Sequence, residues 1–252
     1  MFKKPVLFLI LLILLFSSCQ TINKSNSKLG ITQSCVFLSF DDGPDADTTP
    51  LLLEVLEKYH IKAIFCLLGV NAEQYPELVR QIHDSGHYIA NHGYSEKWSI
   101  KMKDDEFRNN ILQGENAISL GMGQAMEPKL YRPHGGFYNS RQEKICSDEK
   151  YAIIPVSIRV YDAVKSSESR DKIINNVIRK VTGNKRGLIL LHDCRESHLS
   201  KAASLEKNPG SSFNRTWVPH AAEEIIIALT EKGFVFPDPE ILINSLYTST
   251  YH

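Results

Sequence analysis

Two adjacent carboxylates end the first strand-like segment of the chain. Residues 36–40 have the apolar composition of a buried strand, Asp41 and Asp42 follow, and Gly43-Pro44 then turns the chain. The core is a poor place for these side chains, because burying unpaired carboxylates costs much free energy. Neighbouring side chains at a strand end point in different directions, so one carboxylate can hold a metal while the other accepts a proton. Alone, this segment would be interpreted as an acidic surface turn.

Other strand-like segments also end in side chains that can do chemistry. These residues are, in chain order, Asn91, His92, Arg132, Asp162 and His192. In parallel β/α folds the C-terminal ends of the strands gather on one face, where ligands bind. We therefore expect the two carboxylates of the first segment to converge with these residues.

The elements that would position these residues alternate between strand and helix. Predicted strands cover residues 35–40, 63–68, 87–90, 130–132, 153–161, 187–191 and 234–236. Predicted helices cover residues 48–59, 75–85, 104–120, 142–149, 170–182 and 220–232. This alternation predicts an α/β fold with parallel strands and outer helices. About seven units in one domain favour a distorted (β/α) barrel.

The charge balance of the chain gives no sign of an anionic partner. Lys+Arg and Asp+Glu number 29 each in 252 residues, so the formal net charge is zero. This balance gives no electrostatic reason to expect binding to nucleic acid or to an anionic membrane surface.

The first residues have the pattern of an export signal. Lys3 and Lys4 precede an apolar run at residues 6–16, and Ser17-Ser18 then precede Cys19. We predict a lipoprotein-type signal peptide at residues 1–18, a polar tether at 19–33 and one catalytic domain at 34–252. The alternative is an ordinary secretory signal with an incidental cysteine. Either way we expect an exported protein. With the lipoprotein-type signal, we expect it to be lipid-anchored in the cell envelope, on the outer face of a bacterial membrane or in the periplasm. It would then contact the membrane through its anchor only.

Four further cysteines leave two alternatives open. Cys35, Cys66, Cys146 and Cys194 are an even number, which permits disulfides in an exported protein. Cys35 and Cys66 lie in apolar strand-like runs, which is equally typical of buried free thiols.

Five short segments resemble, in the right order, the five signatures of the polysaccharide deacetylases, carbohydrate esterase family 4. They are Ser-Phe-Asp-Asp-Gly-Pro at residues 39–44, Asn-His-Gly-Tyr-Ser at 91–95, Arg-Pro-His-Gly-Gly at 132–136, an Asp-ended strand at 157–162 and Leu-Leu-His-Asp at 190–193. The first and fifth together are the most specific. The resemblance extends over roughly residues 36–237.

The resemblance implies a metal-dependent hydrolase that removes acetyl groups from N-acetylated amino sugars of a polysaccharide or oligosaccharide. Its cofactor would be a divalent metal ion such as zinc or manganese. Position by position, the implied roles are Asp41 as general base, Asp42 and His92 as metal ligands, Arg132 as the residue that orients Asp41, Gly135 as a backbone oxyanion donor, His192 as general acid and Asp162 as its partner.

One departure from the family pattern concerns the third metal ligand. Glu96 stands where the family has a second histidine. We predict Glu96 as that ligand, because a carboxylate also suits a divalent metal. Two alternatives remain: His134 or His198 completes the site, or the site is degenerate and the protein is a non-catalytic glycan-binding homologue.

Two other departures concern the substrate. Gly135 replaces a usual tyrosine, and Ala163 follows Asp162 where a tryptophan is usual. Less aromatic cover predicts a wider groove and a substrate shape unlike that of typical members. An O-acetyl polysaccharide esterase would use the same machinery and is a further functional hypothesis.

Overall fold

A sheet of seven parallel strands lies at the centre of the part of the chain that the computed structural model describes, residues 34–194 and 214–251. The strands are β1 (Cys35–Asp41), β2 (Ile64–Leu67), β3 (Tyr88–Asn91), β4 (Leu130–Tyr131), β5 (Ala152–Ile153), β6 (Ile158–Arg159) and β7 (Arg186–His192). Their order in the sheet is β5-β4-β3-β2-β1-β7-β6, and the sheet curls into a half-barrel. The predicted α/β fold with parallel strands is confirmed. The predicted signal peptide, the tether and His198 lie outside the described residues.

Strand β1 is central and aligns the first carboxylate with the last histidine. All seven of its residues are buried, and it pairs in parallel with both β2 and β7. In that register Asp41 lies opposite Cys66 on one side and His192 on the other. The carboxyl ends of the three strands therefore meet at one edge, as parallel pairing requires.

Helices pack against both faces of the sheet. They are α1 (Thr49–Lys58), α2 (Gly69–Gln74), α3 (Pro76–Asp84), α4 (Asp104–Met122), α5 (Ser140–Asp148), α6 (Arg170–Asn184), α7 (Val218–Glu231) and α8 (Glu240–Tyr251). Helix α4 begins with acidic residues, which the helix dipole favours, and ends at Gly123 in the left-handed conformation. A side chain at Gly114 would meet Asn91, so this glycine lets α4 pack directly against the end of β3.

The two faces of β1 contribute to different parts of the core. Val36, Leu38 and Phe40 belong to the large cluster under the helices, whereas Phe37 belongs to a smaller cluster that includes Leu242 of α8. This division follows from the alternation of side chains along a strand. Burial of both faces explains why the segment is apolar at nearly every position.

Two predicted strands were wrong in extent. The segment predicted as one strand at residues 153–161 contains the last residue of β5 and the whole of β6, and these two strands lie at opposite edges of the sheet. Pro155 lies between them and has no N–H for a sheet hydrogen bond, so a continuous strand is disfavoured. The predicted last strand at 234–236 is a single bridge from Cys35 to Val235. Helices α2 and α8 were not predicted.

None of the four described cysteines is in a disulfide. Cys35, Cys66, Cys146 and Cys194 are all buried thiols, which confirms that alternative. Among residues 34–194 and 214–251, no helix has both the length and the apolar character needed to cross a membrane.

Candidate active site

The ends of the parallel strands bring most of the predicted site residues together. Asp41 is the last residue of β1 and His192 the last of β7, while His92 and Arg132 each follow directly after a strand. Asp162 contacts His192 from a short 3₁₀ turn. The convergence expected from the sequence is therefore present in the fold.

Asp41 is held by a buried arginine. Arg132 Nη1 donates hydrogen bonds to Asp41 Oδ1 at 2.7 Å and to Ser39 Oγ at 2.8 Å. Arg132 is 0% exposed and Asp41 is 3% exposed, so water screens this pair little. The two hydrogen bonds fix the position of the guanidinium, and the guanidinium in turn holds the Asp41 carboxylate at the end of β1.

A second group of side chains lies beside this pair. Asp42, His92 and His134 each offer a ligand atom, and these atoms all lie within 4.8 Å of one another. Asp42 Oδ1 is 3.4 Å from His92 Nε2 and 3.6 Å from His134 Nδ1. Both Asp42 Oδ1 and His134 Nδ1 are buried, and neither has a hydrogen-bond partner within the described part of the chain. Buried polar atoms without partners are rare in folded proteins and call for an explanation.

The hydrogen bonds of His92 leave one of its nitrogens available as a ligand. Its Nδ1 lies 2.7 Å from the carbonyl oxygen of Arg132. A carbonyl only accepts, so Nδ1 carries the proton and, in the neutral ring, the lone pair of Nε2 is directed toward Asp42. Backbone contacts of this kind commonly orient metal-binding histidines.

These three side chains fit a divalent cation. One carboxylate and two imidazoles form a common ligand set, and a cation would satisfy the two unpartnered atoms. Burial lowers the pKa of His134 to about 4, so its ring is neutral at neutral pH, as a ligand must be. Burial opposes the charge on Asp42, yet the adjacent His92, together with His192 and His134, holds its pKa below the ordinary value.

The geometry favours His134, rather than Glu96, as the third ligand. Glu96 is half-buried in the segment after β3, and it is not a member of the group formed by Asp42, His92 and His134. The backbone N–H of His134 donates to Ser99 Oγ at 3.0 Å, which fixes the start of this turn. The assignment of Glu96 as a ligand stays a prediction.

Asp42 has an unusual backbone conformation that separates its side chain from that of Asp41. Its φ is 74°, in the left-handed region, which is uncommon for a residue with a side chain. Its N–H donates to Cys66 O at 3.1 Å, and its carbonyl accepts from Asn71 Nδ2 at 2.7 Å. Such conformations persist only where the surroundings hold them, and they are frequent at functional sites.

His192 and Asp162 form a tightly bonded pair. His192 Nδ1 donates to Asp162 Oδ1 at 2.9 Å, and the His192 backbone N–H donates to Oδ2 at 2.9 Å. Burial disfavours a charged imidazole, but the Asp162 carboxylate outweighs it and raises the pKa of His192 to about 9. At neutral pH His192 is therefore protonated and has an Nε2–H to donate, which suits a general acid.

The predicted oxyanion donor lies in a covered turn. Gly135 has a φ of 79° in the 3₁₀ turn His134–Gly136, a conformation that favours glycine. The ring of Trp98 lies 3.2 Å from the place where a Cβ on Gly135 would be, and Arg159 Nη2 donates to Gly135 O at 3.3 Å. An aromatic side chain therefore does cover this turn, although it comes from another segment than in the family pattern.

One residue of the site has no counterpart in the sequence prediction. Arg215 is 2% exposed, and its Nη2 donates to Asp162 Oδ2 at 2.5 Å. It comes after a polar segment at residues 195–213, whereas the predicted site residues come after apolar, strand-like runs. Nothing in the sequence therefore indicated that Arg215 belongs to the site.

Comparisons with known proteins identify a family for this chain. Residues 29–154 match the family described as polysaccharide deacetylase. A peptidoglycan-N-acetylglucosamine deacetylase of Bacillus cereus is 38% identical over 166 residues, which are 65% of this chain and 58% of the relative. The chain thus matches a little over half the length of that curated relative.

Solved structures show the same fold. A peptidoglycan N-acetylglucosamine deacetylase crystallised with an N-hydroxybenzamide compound superposes with a TM-score of 0.65 at 33% identity, over 83% of this chain and 88% of that one. A family 4 acetyl xylan esterase from Clostridium thermocellum, in complex with a cobalt ion, superposes with a TM-score of 0.63 at 25% identity, over 83% of this chain and 90% of that one.

The parallel α/β fold and these matches together define the class of protein, the carbohydrate deacetylases. The chain belongs to the polysaccharide deacetylase family. The resemblance found in the sequence is thereby confirmed, and the enzyme class that it implied, a carbohydrate deacetylase, is confirmed at the level of the family.

Proposed function

We propose that the protein removes acetyl groups from N-acetylglucosamine units of peptidoglycan or a related polysaccharide, with a divalent cation held by Asp42, His92 and His134. The observation that carries this proposal is the position of the base beside the ligands. Asp41 Oδ2 lies 3.7 Å from His92 Nε2, and Asp41 Oδ1 is bound by Arg132. A carboxylate in this place can take a proton from a water molecule adjacent to the ligand group.

Each group in the site has a chemical task. When bound, a divalent cation supplies a Lewis acid that lowers the pKa of water and polarises the acetyl carbonyl. Asp41 accepts the proton of the attacking water, and Arg132 keeps Asp41 in place. His192 donates a proton to the departing amine, and Asp162 holds its ring. The backbone N–H of Gly135 stabilises the oxyanion that forms on the acyl group.

The choice of an N-acetylated sugar rests on the leaving group and on the relatives. An amine leaves only when it gains a proton, which explains the value of an imidazole that is protonated at neutral pH. The relatives described as peptidoglycan-N-acetylglucosamine deacetylases support the same substrate class.

An O-acetyl polysaccharide is a second candidate substrate. The likeness to an acetyl xylan esterase supports it, since that protein has the same fold at 25% identity. An alcohol leaves more easily than an amine, so an ester substrate depends less on His192. The third hypothesis, a non-catalytic glycan-binding homologue, is disfavoured because the Asp41–Arg132 pair, the ligand group and the His192–Asp162 pair are all complete.

We also propose that the protein is exported and lipid-anchored through Cys19, on the pattern of its first residues. Metabolic labelling with a fatty acid tests this proposal, with Cys19→Ser as the control. Equal labelling of the two proteins would contradict it.

The activity is tested by measuring acetate release from chitooligosaccharides, from peptidoglycan and from acetylated xylan. The protein is treated with a chelator, and zinc, manganese or cobalt is then added singly. We expect release from N-acetylated substrates only after metal addition. Asp41→Asn is the inactive control, and the exposed Glu54→Gln is the matched control. No release from any substrate with any metal would contradict the proposal, and release from acetylated xylan alone would favour the esterase.

A further inference from the structure

Arg215 is a buried arginine whose hydrogen-bonding groups are all used. Its Nε and Nη2 donate to the carbonyl oxygen of His192 at 3.2 and 3.0 Å, and its Nη1 donates to the carbonyls of Asp162 and Lys165 at 2.9 and 3.1 Å. Its Nη2 also donates to Asp162 Oδ2 at 2.5 Å. Arginine has five N–H donors, and each therefore has an acceptor.

The acceptors of Arg215 are concentrated on two residues. Two of its bonds reach Asp162, two reach the carbonyl of His192, and one reaches Lys165. Its guanidinium also lies 4.7 Å from the ring centroid of Trp217. A buried cation is costly unless it is paired and bonded, so the side chain is held firmly in this one arrangement.

The carboxylate of Asp162 is fixed from two sides as a result. Its Oδ2 accepts from Arg215 and from the His192 backbone N–H, while its Oδ1 accepts from His192 Nδ1. Rotation of this carboxylate would turn the imidazole of His192. Arg215 prevents that rotation and at the same time anchors the backbone of His192.

We propose that Arg215 is a positioning residue of the reaction, which holds Asp162 and the main chain of His192 so that His192 presents its outer nitrogen to the leaving group. The inference rests on the proposed function insofar as His192 is the general acid there. Lysine could not replace the arginine fully, because its ammonium lacks the planar fork that reaches several acceptors at once.

The kinetic test compares Arg215→Met and Arg215→Lys with the exposed Arg179→Met as the matched control. We expect Arg215→Met to lower kcat about 10- to 100-fold, as misplacement of a catalytic group does, with little change in KM. Arg215→Lys should retain an intermediate rate, and Arg179→Met the wild-type rate. In an Asp162→Asn background, Arg215→Met should cost less than about 3-fold, because residues that act as a unit are not additive. An equal loss in both backgrounds, or a change in KM alone, would overturn the inference.

A spectroscopic test does not depend on turnover. Proton NMR detects the Nδ1–H of His192, which is assigned by its absence in His192→Ala. We expect Arg215→Met to shift or broaden this resonance while Arg179→Met leaves it in place; if Arg215→Met does not fold, Arg215→Lys serves instead. An unchanged resonance in a folded variant would overturn the inference. If Arg215→Met shifts the resonance but the wild-type protein releases no acetate, Arg215 still positions His192 and the proposed function is wrong.

Discussion

Arg132 Nη1 lies 2.7 Å from Asp41 Oδ1, although their strands, β4 and β1, are separated in the sheet by β3 and β2. The contact exists because the sheet curls, so that a long side chain from one strand end reaches another. Arg132 is also the largest fully buried side chain within the described residues. A single buried ion pair thus links the end of β4 to Asp41, the proposed base.

Loss of this pair should be costly. Arg132→Met leaves a buried carboxylate without its partner, and we expect the free energy of unfolding to fall by about 3–5 kcal/mol. Urea denaturation measures this value, with the exposed Arg179→Met as control. A loss below about 1 kcal/mol would mean that Asp41 does not depend on this partner.

Replacement of Asp41 should separate chemistry from metal binding. Asp41→Asn removes the proton acceptor but none of the three proposed ligands, so we expect kcat to fall about 10²- to 10⁴-fold. Calorimetric titration with zinc should give nearly the wild-type affinity. Unchanged turnover would refute the assignment of Asp41 as the base.

The identity of the third ligand can be decided by two parallel substitutions. We expect His134→Ala to weaken metal binding at least about 10-fold, since it removes one of the three grouped donors. Glu96→Ala should bind metal as the wild type does. If Glu96→Ala is the weaker binder, the assignment made from the sequence is right and the one favoured by the geometry is wrong.

The activity should depend on pH through His192. The Asp162 carboxylate, against the effect of burial, raises the pKa of His192 to about 9. Since the acid form exists below that pKa, kcat/KM should decline above about pH 9. Asp162→Asn removes the largest favourable charge, so the decline should begin at lower pH. Asp41, Asp42 and His134 also face His192, and they are unchanged in this variant. If kcat/KM of Asp162→Asn declines at the same high pH as that of the wild type, His192 is not the group that titrates.

Asp193 should make stability depend on pH. Burial raises the pKa of Asp193 to about 7, and its Oδ2 accepts a hydrogen bond from Thr49 Oγ1 at 2.7 Å. The folded state binds the Asp193 proton more tightly than the unfolded chain does. Protonation of Asp193 therefore contributes fully to the free energy of unfolding below about pH 4, and this contribution is lost as the pH rises to about 7. Asparagine keeps an acceptor but has no charge. We expect Asp193→Asn to have a higher melting temperature than the wild type at pH 8, and we expect the difference between the two melting temperatures to shrink at pH 4.

Much of the site could be predicted because its residues follow strands. Asp41, His92, Arg132 and His192 each stand at the end of an apolar run, and parallel strands carry such ends to one edge. The spacing of apolar residues along the sequence also predicted most of the helices. These features depend on local sequence, which is what a single chain reveals.

The rest depends on contacts between distant segments. The run at residues 153–161 is apolar enough for one strand, yet Pro155 divides it and its halves join opposite edges. His134 becomes the favoured third ligand only because the turn after β4 places it 3.6 Å from Asp42. Arg215 lies outside every strand-end pattern, and only its contacts in the fold reveal its place beside Asp162.

The most direct test of the account is a metal titration of the chelator-treated protein, with acetate release from an N-acetylglucosamine oligomer as the readout. We predict no release without metal, recovery with one equivalent of a divalent cation, and loss of both binding and release in Asp42→Asn. Full release by metal-free protein, or recovery in Asp42→Asn equal to wild type, would contradict it.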